Sequence, residues 1–367
     1  MNIYLDNIIY SNVTNGGVSN YWFELTKYIQ NRNTDNVYFL EDDKARENFH
    51  RKMLTIDEEQ LIHLKSSLLS RIRPINHEIK EDKAIYHSSY YRALKSTKEI
   101  IEITTIHDFI HNFYSPLHKK IIHNKIKYDS IKRSQGIICV SENTYSDLKK
   151  FCPITKKQKA EVIYIGVSDD YFPISELSAD ENQFLSNYKI LGRKYILFVG
   201  NRTNYKNFNY VANLLKLDKE LILVTIGGGN FTPKELKSLQ TVDFNQIVHI
   251  KSIENKYLNV LYNGAQALLY PSEYEGFGIP VIEAMRSGCP VIGYNQPVIR
   301  EVGGTAAILF DTLNEANFKK AMENLANDDF KTALLEKGFE QSKKYSWEKC
   351  SRETHEFYSQ LYDSSFL

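Results

Sequence analysis

The stretch from Pro271 to Gly293 reads PSEYEGFGIPVIEAMRSGCPVIG, and its local grammar decides the fold. An apolar run, Ala267–Tyr270, meets a loop broken by Gly276 and Gly278. A short helix is expected from Pro280 to Gly288, because proline is favoured just inside a helix start and glycine just past its end. A second apolar run, Pro290–Ile292, follows at once. The unit is strand, loop, helix, strand. Glu275 stands in the loop and Glu283 one turn into the helix, with seven residues between them. Two carboxylates and the N–H groups of a helix start therefore aim at one point beyond the strand ends. Such a point suits a ligand carrying both hydroxyls and phosphate.

Similar apolar runs lie on both sides of this unit. Before it come Ile3–Tyr10, Val37–Leu40, Ala84–His87, Glu102–Ile106, Gly136–Val140, Val162–Ile165, Tyr195–Val199, Leu221–Ile226 and Ile247–Ile250; after it comes Ala307–Phe310. Helical periodicity fills most gaps, as where Val18, Trp22, Leu25 and Ile29 share a face. The alternation predicts an α/β protein with parallel sheets and helices on both faces. At 367 residues the chain fits two domains. Residues 169–187, rich in acids, serine and proline with little apolar pattern, read as the linker. That divides the chain into 1–168, 188–346 and a last helix in 347–367. The charge-rich segment 41–83 has intermittent apolar positions, Met53, Leu61, Leu64 and Leu68, and reads as helices.

Apolar content of 42% and charged content of 25% are globular values. A formal charge of +1 gives no electrostatic case for nucleic acid. Cys139, Cys152, Cys289 and Cys350 form no paired spacing and read as reduced residues of a cytosolic protein, three of them buried. The first residues show neither a basic segment nor a long apolar one, so no signal peptide is expected. No apolar run approaches the ~20 residues of a spanning helix.

Four further places carry chemistry. The strand Tyr195–Val199 runs into Gly200-Asn201-Arg202-Thr203-Asn204-Tyr205-Lys206-Asn207, where a guanidinium fork and a compact ammonium make an anion clamp, or else plain surface cations. His107-Asp108 closes the Glu102–Ile106 strand, and a histidine at that end points toward the ligand crevice of an α/β sheet or is simply structural. With His111 it spells His-x-x-x-His, but the glutamate of the zinc-protease motif is missing, so no metal is expected. Gly16-Gly17 either lets backbone approach a ligand closely or only turns the chain. Residues 117–133 hold six basic side chains against Asp129, a local charge of +5, beside Leu117, Ile121, Ile122 and Ile126. They read as a surface for anionic lipid or a lipid-diphosphate acceptor, or equally as a solvated helix face.

The Glu275…Glu283 pair resembles the Glu-x7-Glu motif of retaining glycosyltransferases of the family 4 type. The match extends over Pro271-Ser272, Glu275-Gly276-Phe277-Gly278, Pro280, Glu283-Ala284-Met285, Gly288 and Pro290-Val291. The resemblance implies the GT-B fold: two facing Rossmann-like domains, an interdomain cleft, and a C-terminal helix crossing back to the first domain. It also implies site roles. Glu283 binds the ribose of a nucleotide-sugar donor. Glu275 contacts the donor sugar, helped by the N–H groups of Phe277, Gly278 and Ile279, with Gly276 in the same donor-binding loop. Gly16 and Gly17 line the cleft, and His107 stands near the sugar. Arg202 and Lys206 neutralise the leaving diphosphate. Many members place a basic residue directly before that lysine; here Tyr205 stands there, so Arg202 is expected to supply the guanidinium.

The expected activity is transfer of a hexose, mannose favoured, to a glycan or lipid-linked saccharide in surface polysaccharide biosynthesis. GDP-mannose is expected as donor over UDP- or dTDP-sugars, with retention at the anomeric carbon. No Asp-x-Asp is present, so neither metal nor other cofactor is expected. The enzyme is expected in the cytoplasm, with contact to the inner face of the membrane through residues 117–133. The alternatives are a nucleotide-sugar epimerase or phosphorylase on the same fold, and a catalytically silent partner subunit.

Overall fold

A computed structural model describes residues 1–32, 34–67 and 70–364. The chain forms two compact units, Met1–Gly166 with Ser346–Leu367, and Val167–Tyr345.

The first unit holds strands β1 (Asn2–Asp6), β2 (Asn36–Glu41), β3 (Leu61–His63), β4 (Ile75–Asn76), β5 (Lys83–Ser88), β6 (Leu94–Lys95), β7 (Glu99–Ile106), β8 (Gly136–Cys139) and β9 (Lys159–Val162). Seven of them form a parallel sheet in the order β3-β2-β1-β5-β7-β8-β9, while β4 and β6 pair apart. The strands β5, β7 and β8 are buried along most of their length. Such continuous apolar runs are what a parallel sheet covered on both faces demands.

The second unit carries β10 (Tyr195–Val199), β11 (Ile222–Ile226), β12 (Ile247–Ile250), β13 (Ala267–Tyr270), β14 (Val291–Tyr294) and β15 (Ala307–Phe310). They form a parallel sheet in the order β12-β11-β10-β13-β14-β15. Ile196, Phe198, Leu223, Ala267 and Leu269 fill one side of its core with the helix Phe208–Leu214.

Several expectations shift. The run Ile3–Tyr10 is a strand only to Asp6; the Asp6 carboxylate accepts the Ile8 N–H at 3.2 Å, and Ile8–Asn12 turns into a helix. Ile8, Ile9 and Tyr10 are buried in either geometry, so apolarity alone could not separate the two. Segment 41–83 is not chiefly helical. It contains a 3-10 turn at Asp43–Glu47, the single helical turn Phe49–Lys52, and β3. Arg51 pairs twice with Glu41, at 2.7 and 2.8 Å, and Asn48 caps the turn, so polar contacts to β2 set this path. Leu68 lies outside the described residues.

The expected linker 169–187 belongs to the second unit, whose boundary falls after Gly166. Phe172 N donates to Asn259 Oδ1 at 3.2 Å and Ile174 N to Asn263 Oδ1 at 2.7 Å, pinning the segment to the helix Asn255–Gly264. Residues Ala179–Asn187 then form a helix behind the capping box of Ser178 and Glu181, and Phe184 stacks on Tyr257 at 4.6 Å. Its serine and acids serve the helix start.

The last helix, Trp347–Asp363, packs in the first unit against the helix Gly17–Arg32. His355 Nε2 meets Asp35 at 2.7 Å and Lys83 Nζ donates to the Tyr362 carbonyl at 2.7 Å. The chain passes so close to itself that a Cβ on Gly166 would lie 2.2 Å from the Trp347 backbone nitrogen. All four cysteines are buried, one more than expected.

Candidate functional site

In the second sheet the strand order reverses between β10 and β13, and a ligand crevice opens beyond the carboxyl ends of strands at such a switch point. The two loops leaving those strands are tied together. Glu273 N donates to the Tyr205 carbonyl at 2.8 Å, and Asn207 Nδ2 to the Pro271 carbonyl at 3.0 Å. Across them Lys206 Nζ meets Glu275 Oε1 at 2.7 Å, with the side chains only 11% and 14% exposed. The structure thus joins the expected diphosphate cation and the expected sugar carboxylate in one ion pair. Tyr270 lies beside it, its ring 5.6 Å from Lys206 Nζ. Burial, then the Glu275 carboxylate, hold the Tyr270 phenol well above its usual range.

Gly278 adopts φ +101° as N-cap of the helix Ile279–Arg286, a conformation that glycine alone enters cheaply. Pro280 follows inside the first turn, as expected. Phe277 turns its ring into the core, edge-on to Tyr345 at 5.5 Å, so only its backbone can serve a ligand. One turn along, Glu283 accepts a hydrogen bond from Tyr262 Oη at 2.8 Å. Burial pushes its pKa up to about 7, against the hydrogen bonds of Tyr262 and Tyr171, which lower it. A carboxylate so placed gains from hydroxyl donors brought by a ligand.

Arg202 is engaged chiefly by the protein itself. Its guanidinium donates to Glu235 Oε1 at 2.8 Å and to the carbonyls of Gly227, Gly228 and Gly229 at 2.9, 3.1 and 3.0 Å. His249 Nε2 lies 3.2 Å from Nη1 and 2.9 Å from the Gly227 carbonyl, to which it donates. Four of its five guanidinium N–H groups are thus taken by the protein itself. Its plane lies 4.2 Å from the Phe231 ring, which completes the cage. Gly227, Gly228 and Gly229 have φ of +88°, +76° and +63°, and a Cβ on Gly228 would stand 2.7 Å from Arg202 Nη1. Arg202 therefore folds the glycine loop beside the crevice, and Lys206 is the cation that the β10 loop presents at the crevice itself.

In the first unit, His107 is partly buried at the end of β7, and burial holds its pKa down near 4, with Asp108 acting in the opposite direction. It is neutral at physiological pH. Asp108 does not orient the ring: its Oδ1 accepts the Ile110 N–H at 3.0 Å and lies 3.9 Å from Lys127 Nζ. The His107 ring rests instead on the edge of Tyr21, centroids 5.0 Å apart. Tyr21 Oη bonds Thr105 Oγ1 at 3.1 Å, Thr105 bonds His87 Nε2 at 3.0 Å, and His87 Nδ1 bonds Tyr358 Oη. This buried chain runs from the C-terminal helix to the ring under His107. Gly16 and Gly17 are exposed at the start of the helix Gly17–Arg32, and a Cβ on Gly16 would meet nothing within 4 Å. Nothing in the fold demands glycine at position 16.

Tyr262, Tyr171, Tyr21, His87, Tyr358 and Glu235 were not legible beforehand. Each lies on an element remote in sequence from its partner, His87 on β5 and the others in helices or loops, and none stands in a recognisable motif. The His111 ring lies tilted against that of His123, centroids 3.7 Å apart. Among the described residues, no group of three or more histidine, cysteine, aspartate or glutamate side chains is arranged to hold a metal ion.

Two protein families match the chain in tandem. Glycosyltransferase Family 4 matches residues 15–171 and Glycosyl transferases group 1 matches residues 180–344. O-antigen chain mannosyltransferase B of Escherichia coli is 26% identical over 270 residues, which span 71% of this chain and 70% of that protein. O-antigen chain mannosyltransferase RfbU of Salmonella typhimurium is 29% identical over 227 residues, 60% of each. Among solved structures, Anabaena HepE in complex with UDP-glucose superposes with a TM-score of 0.72 at 14% identity, over 98% of this chain and 100% of that one.

Proposed function

The chain belongs to the GT-B glycosyltransferases of the family 4 type, and from that premise we propose that it moves mannose from a nucleoside-diphosphate sugar to a saccharide or lipid-diphosphate saccharide in surface polysaccharide biosynthesis. The observation that carries the reading is the Lys206–Glu275 pair at the switch point, with Glu283 one helix turn beyond. Departure of a nucleoside diphosphate builds negative charge on phosphate and positive charge on the anomeric carbon. Lys206 offsets the first, and a preorganised donor of this kind contributes roughly 3–4 kcal/mol to the transition state. An arriving diphosphate competes for Lys206 Nζ and releases Glu275 to accept the sugar hydroxyls. Until then the pair keeps either charge from being buried alone. Glu283 takes the ribose hydroxyls, the Gly276–Ile279 backbone supports the sugar, and Gly16 and Gly17 let the chain approach it. His107, neutral, stands on the acceptor side. Arg202 is a positioning residue that acts through the glycine loop.

The transfer retains anomeric configuration, the leaving phosphate accepting the acceptor's proton on the same face. Lys206 supplies the positive charge, so no metal is required. GDP-mannose is the favoured donor because both similar O-antigen proteins carry the name mannosyltransferase. The reaction is placed in the cytoplasm, where nucleotide sugars reside.

Thermal shift with GDP, UDP, dTDP and ADP tests the donor, since a ligand that binds only the folded state raises its stability. GDP-mannose is then incubated with a lipid-linked or soluble saccharide, with and without EDTA, and the product's anomeric configuration is read by NMR. Retention, insensitivity to EDTA and a preference for GDP are expected. Sugar conversion without any acceptor would replace transfer with epimerisation.

A further inference from the structure

His107 is the acceptor-side group of the proposed function, yet its neighbour in sequence does not hold it, for Asp108 is turned to Ile110 and Lys127. What the imidazole meets is Tyr21, the two rings 81° apart with centroids at 5.0 Å. Tyr21 is buried one turn into the helix that Gly17 begins. An edge-on contact depends on the angle and offset of both rings, so whatever fixes Tyr21 also fixes the imidazole.

Tyr21 is held from two sides. Its ring stands 6.4 Å from that of Trp347, at the start of the C-terminal helix. Its hydroxyl is tied to Thr105 Oγ1 at 3.1 Å, Thr105 to His87 Nε2 at 3.0 Å, and His87 to the Tyr358 hydroxyl of that same C-terminal helix. The next residue, Trp22, sets its ring edge-on to His87 at 5.0 Å and donates from Nε1 to Asn7 Oδ1 at 2.7 Å. Successive residues of one helix thus clamp two members of the chain.

Packing alone does not call for these groups. Tyr21, Thr105, His87 and Tyr358 are all buried. Paired polar groups in a core can be exchanged for apolar ones of the same shape at little cost to stability. Kept and fully paired, they rigidify the core and select one arrangement of it. Burial pushes the His87 pKa down to about 3, so its imidazole serves as a neutral hydrogen-bonding link and not as a charge.

We propose that Tyr21 is the positioning residue for His107, and that the Thr105–His87–Tyr358 chain is the tether that ties it to the C-terminal helix. This rests on the proposed function, in which the imidazole faces the acceptor and its orientation matters to transfer. The helix Gly17–Arg32 then does two things at once, since it carries both the glycine turn and the ring under His107.

The test pairs spectroscopy with kinetics on the full chain. With 15N-labelled histidine, the His107 ring signal, assigned by its loss in His107→Gln, is expected to be single and sharp. Thr105→Val cuts the tether and leaves every ring in place; it shifts or broadens that signal. Tyr21→Leu moves it further, and Tyr21→Phe, which keeps the ring, moves it less. Tyr21→Leu lowers kcat roughly tenfold to a hundredfold with donor KM unchanged, and Tyr21→Phe recovers most of the loss. In a His107→Ala background Tyr21→Leu costs nothing further, because only residues that act independently have additive effects. A loss that adds in full to that of His107→Ala overturns the inference, as does a His107 signal that none of the three variants moves. A signal that moves while kcat stays at the wild-type value upholds the positioning and removes His107 from transfer, so that failure falls on the enzyme reading alone.

Discussion

Glu283 gives the sharpest test of the site, because its burial serves a ligand at the expense of the fold. Its pKa stands at about 7 against an ordinary 4.5, and one pKa unit corresponds to about 1.4 kcal/mol. Full ionisation therefore costs the folded state about 3 kcal/mol relative to the unfolded chain. The sign follows from proton counting. The raised pKa means that the folded state keeps its proton longer, so the cost is absent below the unfolded pKa of 4.5. It grows as pH rises through about 7 and is complete above that. Glu283→Gln keeps an acceptor for Tyr262 Oη but cannot ionise. Denaturant unfolding of wild type and variant at a series of pH values should show their stability gap opening in favour of Gln by about 3 kcal/mol across this window. Over the same range, wild-type affinity for nucleoside diphosphate should rise, since ribose hydroxyls favour the ionised carboxylate. Gln should weaken nucleotide binding roughly tenfold to a hundredfold through loss of a charge-assisted hydrogen bond. A stability gap that stays flat with pH would show that Glu283 titrates as an ordinary carboxylate, and the argument from its buried setting would fail.

Other perturbations separate chemistry from support. Lys206→Ala should lower kcat by ~100-fold or more, whereas Arg202→Ala, whose guanidinium holds the Gly227–Gly229 loop, should chiefly raise donor KM; steady-state kinetics reversing that split would restore Arg202 as the phosphate cation. Gly166→Ala puts a methyl group 2.2 Å from the Trp347 nitrogen and should destabilise the first unit by about 2 kcal/mol or more, read from its urea midpoint. Tyr358→Phe leaves His87 Nδ1 without its partner in a buried setting, costing about 1–3 kcal/mol by the same measurement, with the Thr105–Tyr21 link intact.

Local chemistry was readable where the chain itself supplies both partners. The proline and glycine bounds of the helix Ile279–Arg286, the apolar parallel strands, and the spacing that sets Glu283 one turn behind Gly278 are all short-range consequences of residue type. The same holds for Lys206, which lies seven residues beyond the end of an apolar strand. Where the signal was compositional it misled: the acids and serine of 169–187 looked like a linker but cap a helix, and the charges of 41–83 looked like helix faces but bind β2.

What the amino-acid order determined alone was therefore the kind of fold and the local placement of Glu275, Glu283 and Lys206 on their loops and helix, because strand, turn and cap propensities act within a few residues. Only the tertiary structure decided how those groups are spent. Arg202 finds its four acceptors on elements up to 33 positions away, Lys206 meets a carboxylate 69 positions on, and His87 is held by a tyrosine 271 positions on. A side chain's charge is written in the sequence; which partner satisfies it depends on distances that exist only once the sheets have formed.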